Sequence, residues 1–125
     1  MRNAVNPKGA AAPTSPYSPA VVANGFIYVS GQGPLDPATG NSTPSTIQAE
    51  TKQVFENIKA ILDAAGSSMD KVVKVNVFLR DIGDFRAMNE VYATYFNAPY
   101  PARTTIQAGA LPRNFAVEIE CVATV

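Results

Sequence analysis

The stretch Tyr100–Ala123, YPARTTIQAGALPRNFAVEIECVA, decides how the sheet of this chain is interpreted. Taken two residues at a time, it predicts a hairpin of two strands, each with an apolar and a polar side. The polar sides carry Arg103, Thr105 and Gln107 on the first strand and Glu118 and Glu120 on the second. The apolar sides carry Ile106, Ala108, Val117, Ile119, Cys121 and Ala123.

If the apolar residues of this hairpin face the helices, strand alternation places all its polar residues together on the helix-free face. One interpretation is an ordinary solvated face on which Arg103 forms a surface salt bridge with Glu118 or Glu120. The other is a subunit interface with a polar pocket, because a buried arginine needs an anion such as a ligand carboxylate. The alternation of polar and apolar residues along the strands does not by itself decide between these two interpretations.

The preceding segments supply the rest of the sheet and two helices. Residues 1–16 are predicted to be irregular, and AVVANGFIYVSGQ (20–32) predicts a hairpin around Asn24-Gly25. Residues 45–66 have helical periodicity, with Ser45 or Thr46 as cap and Gly66 as the stop signal. Its apolar stripe is Ile47, Thr51, Val54, Ile58, Ile61, Leu62 and Ala65.

A strand and a second helix follow. In KVVKVNVFLR (71–80), the alternation places Val73, Val75, Val77 and Leu79 on one side of a strand. The segment DIGDFRAMNEVYATYF (81–96) predicts a helix capped by Asp84. The buried stripe of this helix is Phe85, Met88, Val91, Tyr92 and Tyr95.

The predicted order is therefore β-β-α-β-α-β-β within a single domain spanning residues 1–125. This order predicts an α+β fold in which a mixed sheet carries both helices on one face. The other face then has no cover from its own chain. Charged residues make up only 16% of the sequence, below the roughly 25% of an average domain, which favours self-association.

Composition excludes several classes of function. Ten basic and ten acidic residues cancel, and no basic run is present, so a nucleic-acid partner is not expected. The chain has no histidine and one cysteine, which excludes histidine-based nucleophilic triads and metal sites built on nitrogen and sulfur ligands. No secretory signal or membrane-spanning stretch appears, so the expected location is cytoplasmic, and Cys121 is expected in the core.

Several motifs together resemble one known family. Tyr17 within SPYSPAV, Ser30-Gly31-Gln32 followed by Pro34, the segment DFRAMNEVYATYF, and PAR-TTIQ with LPRNFAVEIE resemble the RidA (YjgF) family of imine deaminases. The resemblance covers essentially the whole chain in order. It implies a chorismate-mutase-like fold and a homotrimer whose three sheets form a central barrel, with one site at each subunit interface.

The resemblance also implies an activity. Family members of the 2-iminobutanoate/2-iminopropanoate deaminase type hydrolyse reactive 2-imino acids to 2-keto acids and ammonia, and they use no cofactor. The expected partners of this chain are therefore a small 2-imino acid and two further copies of itself, with neither nucleic acid nor membrane.

The resemblance also assigns site roles to residues of this sequence that match the family's motif positions. Arg103 matches the arginine that binds the substrate carboxylate, and Glu118 matches the glutamate that positions or activates water. Tyr17 resembles the aromatic residue that closes the pocket from the adjacent subunit. Ser30, Gly31 and Asn89 match positions that shape or contact the site.

One position departs from the family pattern, because Thr105 stands where RidA-type members commonly have cysteine. A threonine hydroxyl can hold a water, so Thr105 remains a predicted substrate-binding residue. The departure also keeps open a binding or sensor trimer that holds a small carboxylate without turnover. A ribonuclease or translation inhibitor, an activity attributed to some family members, is disfavoured by the zero net charge and the absence of histidine.

Overall fold

The structure, a computed structural model, describes residues 1–42 and 46–125. Within these residues, two helices accompany six strands: β1 (Asn3–Val5), β2 (Ala20–Ala23), β3 (Phe26–Gln32), α1 (Ile47–Ala64), β4 (Val72–Leu79), α2 (Phe85–Tyr92), β5 (Ala102–Gln107) and β6 (Val117–Thr124). Short 3-10 helices lie at Met69–Lys71, Ile82–Asp84 and Pro112–Asn114. The predicted order is confirmed, with β1 added inside the segment predicted to be irregular.

The predicted β2–β3 hairpin is confirmed. Ala23 pairs with Phe26 in antiparallel register, which leaves Asn24 and Gly25 as the two loop residues. Their φ angles are 51° and 81°, the left-handed values that a type I′ turn requires and that Asn-Gly tolerates well.

Helix α1 begins and ends as its sequence signals predict. The Thr46 side chain caps it by accepting a hydrogen bond from the Ala49 amide at 3.1 Å, whereas Ser45 lies outside the described residues. Gly66, with φ of 75°, follows the last turn. The buried face of α1 is wider than the predicted stripe, because it also contains Glu50, Phe55 and Asn57.

The sheet order is β1-β2-β3-β6-β4-β5, so β6 lies between β3 and β4. β5 pairs in parallel with β4 at the sheet edge and does not pair with β6. The predicted β5–β6 hairpin is therefore wrong. A 3-10 helix with two left-handed residues, Arg113 and Asn114, redirects the chain between them. Every second residue of β6 is buried, which suits a central strand, whereas the polar β5 suits an edge.

The predicted phase of β5 is also wrong. Arg103 lies in register with Val75, and Thr105 with Val77, two fully buried residues that face the helices. Ile106, predicted to face the helices, is 47% exposed on the other side. Arg103, Thr105 and Gln107 consequently lie on the helix side of the sheet, and only the two glutamates lie on the helix-free face.

Two smaller corrections concern the second helical segment and β4. The helix proper is shorter than the predicted range 81–96, and the Asp84 side chain makes no capping hydrogen bond. Asp81 caps the preceding 3-10 turn instead by accepting from the Gly83 amide. In β4, a register shift between Val72 and Lys74 turns Val73 outward, so Val72 is buried in its place.

The core fills the space between the helices and one face of the sheet. Phe55 of α1 packs against Tyr92, Tyr95 and Phe96 of the α2 segment, which confirms that the helices share one side. The opposite face, called the open face below, has no cover from the described residues. It carries Tyr28, Asn76, Phe78, Thr104, Ile106, Glu118, Glu120 and Val122. In the described part of the chain, no helix combines the length and apolar character needed to cross a membrane.

Candidate active site

Arg103 projects from β5 toward α2, where three side chains hold it. Its guanidinium carbon lies 4.5 Å from the ring centre of Tyr92 and 5.4 Å from that of Phe85. Its Nη1 donates a hydrogen bond to Oδ1 of Asn89 at 2.6 Å. Residues spaced by four and seven lie on the same side of a helix, so one face of α2 supplies all three contacts. Phe85, Asn89 and Tyr92 are called the α2 clamp below.

The α2 clamp leaves Arg103 able to bind an anion. Among the described residues, the only side-chain hydrogen bond of Arg103 goes to Asn89, a neutral amide. A guanidinium carries five N–H donors in a planar fork that matches the two oxygens of a carboxylate. The interpretation of Arg103 as a surface salt bridge to Glu118 or Glu120 is wrong, because those glutamates lie on the opposite face of the sheet.

Thr105 lies two residues beyond Arg103, on the same face of β5. Its Oγ1 is buried and finds no hydrogen-bond partner among the described residues, and the same holds for the hydroxyl of Tyr92. A buried hydroxyl without a partner costs free energy relative to one that is hydrogen-bonded. The Thr105 hydroxyl can therefore accept or donate a hydrogen bond without breaking another.

Glu118 lies on β6, and its side chain projects from the open face of the sheet next to Gly31 of β3. A Cβ atom placed on Gly31 would come within 2.6 Å of the Glu118 Oε2. The carboxylate thus occupies the space that any other residue at this position would fill. Burial, followed by the neighbouring charge of Glu120, raises the pKa of Glu118 above the ordinary value of 4.5.

Tyr17 and Ser30 line the same groove. This groove, of about 620 Å³, is bordered by Arg2, Ser15, Pro16, Tyr17, Ser18, Val21, Tyr28, Val29 and Ser30. Tyr17 is 56% exposed there. Ser30 Oγ donates to the backbone carbonyl of Ser18 at 2.6 Å, so this hydroxyl ties the segment after Tyr17 to β3.

The predicted site residues thus fall into two groups. The Arg103 group consists of Arg103, Thr105 and Asn89 on the helix side of the sheet. The Glu118 group consists of Glu118, Gly31, Ser30 and Tyr17 around β3 and β6. Within one chain these groups lie on opposite faces and do not meet.

Two buried polar side chains of α1, which sequence reasoning missed, support the Glu118 group. Glu50, only 8% exposed, accepts a hydrogen bond from the Ala116 amide at 3.0 Å, two residues before Glu118. Asn57 donates to the carbonyls of Gly33 and Leu35 at 3.3 and 2.7 Å, just beyond Gly31. Their signal in the sequence is a pair of polar residues spaced by seven, close to the phase of an apolar stripe.

The described residues form neither a metal centre nor an activated thiol. Within residues 1–42 and 46–125, no three His, Cys, Asp or Glu side chains group closely enough to hold a metal ion. Cys121 is buried, which confirms its predicted place in the core. Burial, together with the charge of Glu120, raises the pKa of its thiol to about 12, so the thiolate is scarce near neutral pH.

Comparison with known proteins identifies relatives over almost the whole chain. The family model described as Endoribonuclease L-PSP matches residues 8–125. A goat (Capra hircus) protein named 2-iminobutanoate/2-iminopropanoate deaminase is 45% identical over 98% of this chain and 90% of its own length. The chloroplastic Reactive Intermediate Deaminase A of Arabidopsis thaliana is 43% identical over 98% of this chain and 66% of its own.

A solved structure agrees in fold. RidA from the Antarctic bacterium Psychrobacter superposes with a TM-score of 0.92 at 43% identity, covering 99% of this chain and all of that one. The α+β fold, a mixed sheet with two helices on one face, is therefore shared with this RidA protein.

Proposed function

This chain belongs to the endoribonuclease L-PSP family, which includes RidA, and we propose that it hydrolyses 2-imino acids to 2-keto acids and ammonia. The observation that carries the proposal is Arg103, held by the α2 clamp with guanidinium donors left over for an anion. A carboxylate adjacent to the reacting carbon is common to all 2-imino acids. The goat and Arabidopsis relatives, both named as deaminases, support the same reaction.

In the proposed reaction, water adds to the carbon of the C=N bond and ammonia leaves. The new C–O bond forms as the π pair moves to nitrogen, which takes up a proton. The resulting carbinolamine then expels ammonia and becomes a keto acid. Arg103 binds the substrate carboxylate in two hydrogen bonds and fixes the carbon that water attacks. Asn89, which the sequence predicts to shape or contact the site, acts as a positioning residue for Arg103.

Glu118 is proposed to act on the water. Its carboxylate accepts a proton from the attacking water and returns a proton to the departing nitrogen, a role typically contributing about 10² to 10⁴ in rate. The raised pKa suits this exchange, because both protonation states become accessible nearer to neutral pH. Gly31 leaves the space in which this carboxylate lies.

Because the Arg103 and Glu118 groups are on opposite faces of one sheet, we propose that the active site forms between two copies. The open face supports such assembly, since Tyr28 and Ile106 expose 44% and 47% of their surface there, beside Phe78 and Val122. A homotrimer with its three sheets around a central barrel covers all three open faces and yields three equivalent sites. Tyr17 and Ser30 then border the pocket from the Glu118 side.

Thr105 is proposed to contact the substrate or its water through its unpartnered hydroxyl. It lies on the Arg103 side of the site, two residues along β5. A hydroxyl in this position replaces the thiol common in RidA-type members, which affects substrate range more than the basic chemistry. A cytoplasmic location and a single domain over 1–125 also belong to this proposal.

The test is imine hydrolysis by the purified protein. An amino-acid oxidase generates the imine, semicarbazide traps what survives, and wild type is expected to lower the trapped fraction. A protein that binds 2-keto acids but leaves the imine intact would be the carboxylate sensor instead. RNA cleavage by a preparation that does not hydrolyse imines would favour the ribonuclease hypothesis. The zero net charge of the chain argues against RNA binding.

A further inference from the structure

We infer that Phe85 and Tyr92 are positioning residues that orient the Arg103 guanidinium for the substrate carboxylate. The inference rests on the proposed function and concerns the same site. It assigns a role in binding to two aromatic residues that the sequence pattern predicts only as helix packing.

The distances carry the first step. Both ring centres lie within about 6 Å of the guanidinium carbon, the range in which a cation is attracted to the face of an aromatic ring. Arginine loses rotational freedom when it stacks, so these contacts limit where its fork can lie. Asn89, between the two rings along α2, fixes Nη1.

The second step concerns the donors that remain. All guanidinium hydrogens lie in the plane of the group, so rings packed against its face leave the edge donors available. The hydrogen bond to Asn89 engages Nη1, and no hydrogen bond among the described residues engages Nε or Nη2. These two nitrogens form an intact pair for a bidentate carboxylate.

The third step separates ring from hydroxyl in Tyr92. This residue is only 6% exposed, and its hydroxyl has no partner among the described residues. The hydroxyl therefore contributes no hydrogen bond to the clamp, and the ring makes the contact with Arg103. Phe96 is a matched reference, since it is equally buried and packs edge-on against Phe55 and at a tilt against Tyr92, but makes no cation–π contact with Arg103.

The experiment measures binding of 2-oxobutanoate, a stable 2-keto acid product, by calorimetry, alongside imine hydrolysis. The variants are Phe85→Leu, Tyr92→Leu, Tyr92→Phe and the control Phe96→Leu. We expect Phe85→Leu and Tyr92→Leu to weaken binding about threefold to tenfold, with a matching rise in KM and a smaller change in kcat. Tyr92→Phe and Phe96→Leu should stay within about twofold of wild type, because both keep the rings beside Arg103.

Melting temperatures separate positioning from packing. Tyr92→Leu and Phe96→Leu each lose a buried ring and should both melt earlier than wild type. Only Tyr92→Leu should also lose affinity, and Tyr92→Phe should restore it. Equal affinity for Tyr92→Leu, Phe85→Leu and Phe96→Leu would overturn the inference.

The binding and turnover measurements distinguish this inference from the proposed function. Wild type that binds 2-oxobutanoate without hydrolysing imines refutes the deaminase, while the affinities of the variants still decide the role of the clamp. Wild type that binds no 2-keto acid overturns the clamp, because an oriented guanidinium without a carboxylate ligand has no role in binding.

Discussion

Arg103 and Glu118 project from opposite faces of one sheet, on strands β5 and β6 that β4 separates. Arg103 is held by its hydrogen bond to Asn89. The Glu118 carboxylate lies in the space that a Cβ atom on Gly31 would fill. Neither can cross a packed sheet to reach the other. A reaction that needs both therefore needs two chains.

Mixing two impaired variants tests this arrangement. Arg103→Ala and Glu118→Gln should each retain only a small residual activity alone. When they are unfolded together and refolded in equal amounts, about one quarter of the interfaces in a closed ring should pair an intact arginine with an intact glutamate. We expect about one quarter of the wild-type imine hydrolysis in the mixture. A mixture no more active than its components would place the whole site in one chain.

Removing the guanidinium should abolish carboxylate binding. Arg103→Ala is expected to lower kcat/KM for imine hydrolysis by about 100-fold or more, because the guanidinium binds the carboxylate and so orients the reacting carbon. The matched control is Arg86→Ala, which removes an exposed arginine from α2 and should leave the rate unchanged. Comparable rates for both variants would contradict the assignment of Arg103.

Adding one methyl group at Gly31 should displace the Glu118 carboxylate. A Cβ at this position would meet Oε2 at 2.6 Å, and the end of a flexible side chain can move aside, so the fold should survive. Gly31→Ala is therefore expected to lower kcat on the order of 10- to 100-fold with little change in melting temperature. In Gly109→Ala, the new Cβ meets no atom within 4 Å, and this control should keep wild-type activity.

The raised pKa of Glu118 predicts a pH-dependent stability. Because the folded state holds this proton to higher pH than the unfolded chain, unfolding free energy falls as the pH rises from the ordinary value of 4.5 through the folded pKa. Glu118→Gln cannot ionise, so its stability relative to wild type should increase over that interval. Below pH 4.5 the two proteins should converge. Denaturant titrations at several pH values measure the difference, and a constant offset would contradict the prediction.

The same titration predicts an acid limb in catalysis. If Glu118 removes the proton from water, kcat should fall as the pH drops through a value above 4.5, where the carboxylate becomes protonated. Glu118→Gln should show no such limb in its residual rate. A wild-type profile that is flat above pH 4.5 would assign Glu118 to anchoring only.

The buried Glu50 should matter for stability. Glu50→Ala leaves the Ala116 amide without its acceptor and is expected to cost about 1–3 kcal/mol of unfolding free energy. Glu50→Gln keeps an oxygen acceptor and should lose less. Asp63→Ala, which changes an exposed acid of α1, is the control and should stay within about 0.5 kcal/mol of wild type. A loss equal to that of Asp63→Ala would show that the hydrogen bond contributes nothing.

Local signals predict most of this fold. The Asn24-Gly25 turn and the limits of α1 follow from short-range chemistry that acts within a few residues, and the structure agrees. β1 escapes prediction because three residues show no periodicity. The pairing of β5 escapes because the chain after Gln107 gives no sign that β6 will insert on the far side of β4.

The site shows where alternation fails. A polar residue is assumed to face water, but Arg103 faces the helices because α2 provides Asn89 and two rings. Ile106 turns outward as a consequence. The useful sign was Asn89 itself, a polar residue spaced by four from Phe85 and by three from Tyr92. The motif-based resemblance selected the same residues and assigned Tyr17 to the adjacent subunit, but it did not separate Arg103 from Glu118.

The central place of β6 has a consequence for biosynthesis. β6 is the last of the six strands to leave the ribosome, yet it pairs with both β3 and β4 and contributes Val117, Ile119 and Cys121 to the core. Until it emerges, the nascent sheet consists of two unjoined pieces with exposed strand edges. The core of this sheet therefore cannot close until β6 has been synthesised, after both helices and the other five described strands.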